Sequence, residues 1–241
     1  MRERPCLVLI AGTLCDARVF DRQVRCLRTR ARIVVFDYRS LRGGADWLAA
    51  QTRHLPPRFS VAGFSLGGLW ALELLRAMPE RIERLAMIAS NAEAGTQGAR
   101  RRSSALWRQW RSEGAADVAR RLEPKYFHCA SQRFKHDRLV RDMAQATPAR
   151  AARAQFDWAA HRPAGHDVLA HSSAPLLVVS GARDGLCPRA LQRRMLAARP
   201  DAQWVELRRC GHFVPLEAAA ALSRWLEAWL ARPPRPDADR R

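Results

Sequence analysis

Gly63-Phe64-Ser65-Leu66-Gly67 places a serine between two glycines, where the apolar run Phe59 to Gly63 gives way to a helical pattern from Leu66 to Met78. A serine at such a corner takes a strained backbone and projects its Oγ from the carboxyl edge of a sheet. Glycines two before and two after it let the neighbouring backbone approach. The helix start behind the serine adds partial positive charge where an oxyanion would form. A hydroxyl is a poor nucleophile by itself, so it needs a base within hydrogen-bond reach and an acid to orient that base. His212, in Cys210-Gly211-His212-Phe213, is the candidate base, and Asp184, just past Val178-Val179-Ser180-Gly181, is the candidate acid. Each follows an apolar strand-like run, so all three fall beyond strand carboxyl ends, where open α/β sheets build their sites.

Other polar residues carry less chemistry. Glu217, five residues after His212, reads as a structural group that caps the last helix, and Asp37 reads as a turn residue. His161, His166 and His171 recur every five residues, a spacing that puts no two on one helical face. His128 and His136 read as surface positions. No histidine or cysteine grouping has metal-ligand spacing, so no metal is expected, and a serine activated by its own base and acid needs no organic cofactor.

These side chains need a frame to hold them. Short apolar, β-branched runs recur at Cys6–Ala11, Ile33–Phe36, Phe59–Gly63, Leu85–Ala89, Leu176–Ser180 and Trp204–Leu207. Most are separated by helical patterns, at Asp21–Leu27, Ala45–Arg53, Leu66–Met78, Arg189–Ala198 and Glu217–Leu230. That alternation predicts a mostly parallel sheet of about six strands flanked by helices. Leu222, Trp225, Leu226 and Trp229 share one face of the last helix and are expected in the core. From about Asn91 to His171 the rhythm breaks. This stretch is rich in arginine and aromatics, with helical periodicity at Arg101–Glu113, Ala115–Leu122 and Asp137–His161. It is expected to be a helical cap, residues 93–165, inserted into a core of residues 1–92 and 166–232. The proline-rich, charged tail 233–241 should be disordered.

At 241 residues and 48% hydrophobic content, the chain suits one α/β domain with a substantial core. Its net charge is +19, and of 42 basic residues only Lys125 and Lys135 are lysines. Such arginine and alanine richness fits a GC-rich coding bias, and it also fits long-range attraction to an acidic macromolecule. A nucleic-acid partner is not expected, because no recognised nucleic-acid module is present. The six cysteines form no C-x-x-C pair and read as small hydrophobes in a reducing compartment. Cys15, Cys187 and Cys210 each fall near a loop that carries the candidate chemistry. The run Cys6–Ala11 is too short for a signal peptide, and no stretch has bilayer-spanning length. The protein is therefore expected to be cytoplasmic, without a membrane partner.

With the serine corner, Asp184 in Gly181-Ala182-Arg183-Asp184 and His212 after Gly211, the chain resembles the α/β-hydrolase superfamily from Pro5 to about Leu230. The order Ser65, Asp184, His212 matches that family, as does a separation of a little under thirty residues between the last two. The resemblance implies an α/β-hydrolase fold and a serine hydrolase with Ser65 as nucleophile, His212 as base and Asp184 as its orienting acid. It also implies an oxyanion hole from the backbone amides of Leu66 and Thr13. The loop Gly12-Thr13-Leu14-Cys15-Asp16 lacks the family's usual histidine but keeps the glycine. The Gly-x-Ser-Leu-Gly-Gly corner and short cap are similar to those of esterases that cleave the methyl ester of a pimeloyl-carrier protein. The resemblance therefore implies a small-molecule or carrier-bound acyl ester as substrate, with an acidic carrier protein as a partner. Relatives with other chemistry (carbon–carbon cleavage, lactone hydrolysis, acyl transfer, peracid formation) and non-catalytic binding proteins share the same scaffold.

Overall fold

Six runs of apolar residues become the strands of a single sheet: β1 Cys6–Ile10, β2 Arg32–Val35, β3 Phe59–Phe64, β4 Ile82–Ile88, β5 Leu176–Gly181 and β6 Gln203–Leu207. The computed structural model describes residues 4–122 and 125–232; the tail expected to be disordered lies outside them. Neighbouring strands are parallel throughout, in the order β2-β1-β3-β4-β5-β6. β1, β3 and β5 are buried along their whole length, as parallel strands covered on both faces must be. Strand order reverses around β1, so the loops leaving β1 and β3 open onto a crevice at the sheet's carboxyl edge.

The core helices are α1 Asp21–Leu27, α2 Gly44–Thr52 and α3 Leu66–Ala77. Between β4 and β5 come α4 Gln97–Glu113, α5 Ala115–Leu122, α6 Ala130–Ala146, α7 Ala149–His161 and α8 His166–His171. After β5 follow α9 Arg189–Ala198, the single turn α10 Val214–Glu217, and α11 Ala219–Ala231. α1 packs on α11, α3 on α8, α4 on α7 and α5 on α6. Leu222, Leu226 and Trp229 are buried as their spacing requires, while Trp225 is half-buried.

Two expected helices are each divided. The segment read as one helix over Asp137–His161 is α6 and α7, and its first turn begins earlier, at Ala130. Thr147 leaves the helix at φ −77°, ψ 119°, because the ring of Pro148 clashes with a helical residue before it and supplies no N–H. The segment expected to run from Glu217 to Leu230 is interrupted at Ala218, whose φ −123°, ψ 35° separates α10 from α11. Among the described residues, no helix is long and apolar enough to cross a membrane.

Candidate active site

Ser65 joins β3 to α3 with φ 52° and ψ −116°, a left-handed conformation that costs an L-residue roughly 1–3 kcal/mol. Main-chain bonds hold it there. Its N–H donates to the Ile88 carbonyl (2.8 Å), and its own carbonyl accepts from Ser90 Oγ (2.7 Å) and Gly68 N (3.0 Å). The flanking glycines are needed because backbone crosses backbone. A Cβ on Gly63 would lie 2.2 Å from the Gly67 carbonyl oxygen, and one on Gly67 would lie 1.9 Å from that of Ile10.

Asp184 and His212 arrive on the loops after β5 and β6. These loops touch at Gly181, where a Cβ would sit 2.1 Å from the Gly211 carbonyl oxygen. The Asp184 carboxylate is buried. Its Oδ1 accepts the amides of Leu186 and Cys187, each at 2.8 Å, which aims the group at the imidazole. His212 Nδ1 lies 2.9 Å from Asp184 Oδ2 and 3.1 Å from Oδ1, while Nε2 lies 2.9 Å from Ser65 Oγ. A carboxylate can only accept, so Nδ1 carries the proton and the Nε2 lone pair faces the serine hydroxyl. The structure thus brings Ser65, His212 and Asp184, the three residues singled out in the sequence, into one hydrogen-bonded line.

The amides of Thr13 and Leu66 have no acceptor among the described residues. Leu66 begins α3, where first-turn N–H groups have no helical partner. The loop carrying Thr13 is held by a group that sequence reasoning missed. Gln155 of α7, fully buried, accepts the Leu14 amide on its Oε1 at 2.8 Å, and Leu14 itself sits at φ 56°. A signal for it existed, since Gln155 falls on the same helical stripe as Ala151, Ala152 and Phe156, where an amide is out of place. Ser65 and His212 open into a pocket of about 480 Å³, walled by Thr13, Leu106, Phe156 and Phe213 and by the cations Arg102, Lys125 and Arg162.

The connection between α5 and α6 also holds the histidine loop: the Tyr126 carbonyl accepts His212 N (2.7 Å) and Phe213 N (3.3 Å). Glu217 does not cap the last helix as expected. Its buried carboxylate accepts Gly211 N at 2.9 Å on one oxygen, and His128 N (2.9 Å) and Nδ1 (2.6 Å) on the other. His128 is thereby drawn away from the free surface role expected of it. Asp37 caps a turn, accepting the Arg39 amide at 2.9 Å.

Burial pushes the thiol of Cys187 up to about 12 and those of Cys15 and Cys210 well above the usual range, so none of the three is poised as a thiolate. Among the described residues, one cluster brings three ligating side chains within 4.8 Å of one another: Asp184, Cys187 and His212. Asp184 and His212 already spend their facing atoms on each other, so a metal there would have to break that bond.

The sequence profile of the alpha/beta hydrolase family matches residues 7–225. A thermophilic esterase from Thermogutta terrifontis superposes with a TM-score of 0.86 and 25% identity, over 94% of this chain and 89% of that one. An enol-lactonase from Burkholderia xenovorans LB400 gives 0.83 at 22% identity, over 95% and 92%, a likeness of fold alone. The pimeloyl-[acyl-carrier protein] methyl ester esterase of Nitrosomonas europaea is 35% identical over 94 residues, 36% of this chain; the match spans 37% of that protein's length. A match across nearly the whole sheet, which includes the serine corner and both loops that meet it, leaves one assignment: the chain belongs to the alpha/beta hydrolase family.

Proposed function

We propose that the protein is a serine hydrolase that cleaves a carboxylic ester through an acyl-enzyme. Ser65 Oγ attacks the ester carbonyl while His212 Nε2 takes its proton and then gives it to the departing alcohol. Asp184 holds the imidazole in the required tautomer and stabilises its cation. The amides of Thr13 and Leu66 receive the tetrahedral oxyanion, a service worth about 3 kcal/mol per donor in such sites. Water, deprotonated by His212, then frees the acid. No metal enters this chemistry.

The observation that carries the proposal is the line Ser65 Oγ–His212 Nε2 at 2.9 Å and His212 Nδ1–Asp184 Oδ2 at 2.9 Å, standing on a strained serine at a pocket floor. Likeness to an esterase at 25% identity supports an ester over the family's other substrates. The test is covalent labelling by a fluorophosphonate together with turnover of p-nitrophenyl esters. Ser65→Ala should lose both and keep its fold, with turnover down by roughly 10⁴-fold or more. Unchanged turnover in that variant would remove the assignment.

Within that reading, an ester carried on an acidic carrier protein is favoured by two observations. The net charge is +19, and α4 and α6 expose Arg100, Arg101, Arg108, Arg111, Arg133, Lys135 and Arg138. The partial match to a carrier-protein ester esterase points the same way. Free cysteines throughout the described chain suit a cytoplasmic setting for such a substrate.

A further inference from the structure

Outside the Ser65 site the structure holds a second nucleophile, base and carboxylate in line. Cys129 Sγ lies 3.3 Å from His128 Nε2, and His128 Nδ1 lies 2.6 Å from Glu217 Oε2. The three groups come from two separate elements, the loop before α6 and the turn α10. We propose that Cys129 is a covalent modification site, a thiol activated by His128 and Glu217 that exchanges with low-molecular-weight disulfides.

The geometry assigns each role. The Glu217 side chain is wholly buried and accepts the proton on His128 Nδ1, so the Nε2 lone pair is the one that faces the thiol. On its other side Sγ lies 3.1 Å from Ser131 Oγ. Cys129 immediately precedes the 17-residue α6, so its sulfur sits where a helix favours negative charge. The Ser131 hydroxyl, with the amides of Gln132 and Ser131, holds the thiol below its ordinary range against the opposing charge of Glu217. Cys129 is also exposed, which the reaction requires.

The other cysteines lack this combination. Cys15, Cys187 and Cys210 are buried with raised thiols, and burial likewise raises Cys6. Cys26 is exposed but has no side-chain partner among the described residues, which makes it a control within the same molecule.

In the exchange, Cys129 gives its proton to His128 Nε2 and its thiolate attacks one sulfur of the disulfide. A Cys129–sulfur bond forms, the original S–S bond breaks, and the departing thiolate takes the proton back from His128. Cys129 is oxidised to a mixed disulfide while the released sulfur is reduced to a thiol, so the small disulfide is the only co-reactant.

The test exposes the full chain to oxidised glutathione at neutral pH and follows each cysteine by peptide mass spectrometry. Cys129 should form the mixed disulfide about tenfold or more faster than Cys26. His128→Gln should slow Cys129 several-fold and leave Cys26 unchanged, while the buried Cys15, Cys187 and Cys210 stay unmodified, which reports that the variant is folded. Should His128→Gln not fold, Ser131→Ala provides the second variant and should also slow Cys129. Equal rates at Cys129 and Cys26 in the unaltered protein, or a Cys129 rate indifferent to the folded variant, would overturn the proposal. Neither readout depends on ester turnover, so failure here leaves the hydrolase reading untouched.

Discussion

Asp184 does two jobs with one carboxylate, and replacing it separates them. In Asp184→Asn the amide oxygen can still accept the Leu186 and Cys187 amides, so the loop keeps its shape. The NH₂ group then faces His212 Nδ1, which must become the acceptor, and the proton moves to Nε2, where it blocks the serine. A fall of about 10⁴-fold in kcat with an unchanged melting temperature is expected; wild-type kcat would show that the imidazole is not oriented from this side. Gln155 acts one step further out, as a positioning residue. Gln155→Leu removes the acceptor of the buried Leu14 amide, a loss of about 1–3 kcal/mol that loosens the loop carrying Thr13. In the proposed mechanism that loop serves the oxyanion and not the ground-state ester, so kcat should drop roughly 10-fold while KM stays near its original value. A change in KM alone would reassign Gln155 to substrate binding.

The crossing of α3 over β1 sets how close Ser65 can come to the loop that carries Thr13. Gly67 is the contact point, and a methyl group there would lie 1.9 Å from the Ile10 carbonyl oxygen, a rigid backbone atom. Gly67→Ala should therefore cost about 3 kcal/mol or more, a melting temperature lower by roughly 6–12 °C. Gly43→Ala is the control: nothing lies within 4 Å of its Cβ position and its φ of −142° suits any residue, so thermal stability should barely move. Equal melting temperatures for the two variants would contradict the packed crossing. This crossing was legible from the chain because its causes are local: two glycines at fixed offsets from a serine, between an apolar run and a helical one. The strand runs were legible for the same reason, since buried parallel strands declare themselves by apolarity alone. The pairings made by Gln155 and His128 were not, although the stripe around Gln155 marked it, because their partners Leu14 and Glu217 lie 141 and 89 residues away in the chain and no periodicity encodes such pairings. The helix break at Pro148 was written in the sequence, but the apolar stripes of α6 and α7 run on with compatible spacing and mask it.

The charge of the protein is distributed unevenly in kind if not in sign. Several arginines away from α4 are spent locally: Arg199 on Asp201 and on the carbonyls of Leu169 and Ala174, Arg84 on the Arg232 carbonyl, Arg30 on Glu227. Along α4, by contrast, Arg100, Arg101 and Arg108 are exposed and form no ion pair among the described residues. Exposed charges of one sign act at a distance, over a screening length of about 10 Å at 0.1 M salt, and they govern encounter more than they govern chemistry. A carrier protein with an acidic face would feel them; a free methyl ester would not. Raising salt from about 50 to about 500 mM should therefore raise KM for the carrier-bound ester roughly 10-fold or more while the free ester changes less than about twofold, kcat holding for both. Replacing Arg100, Arg101 and Arg108 together by glutamine should reproduce the high-salt KM at low salt, for the carrier-bound substrate alone. Equal salt responses for the two substrates would assign the arginines to composition and leave the pocket, not the surface, to choose the ester.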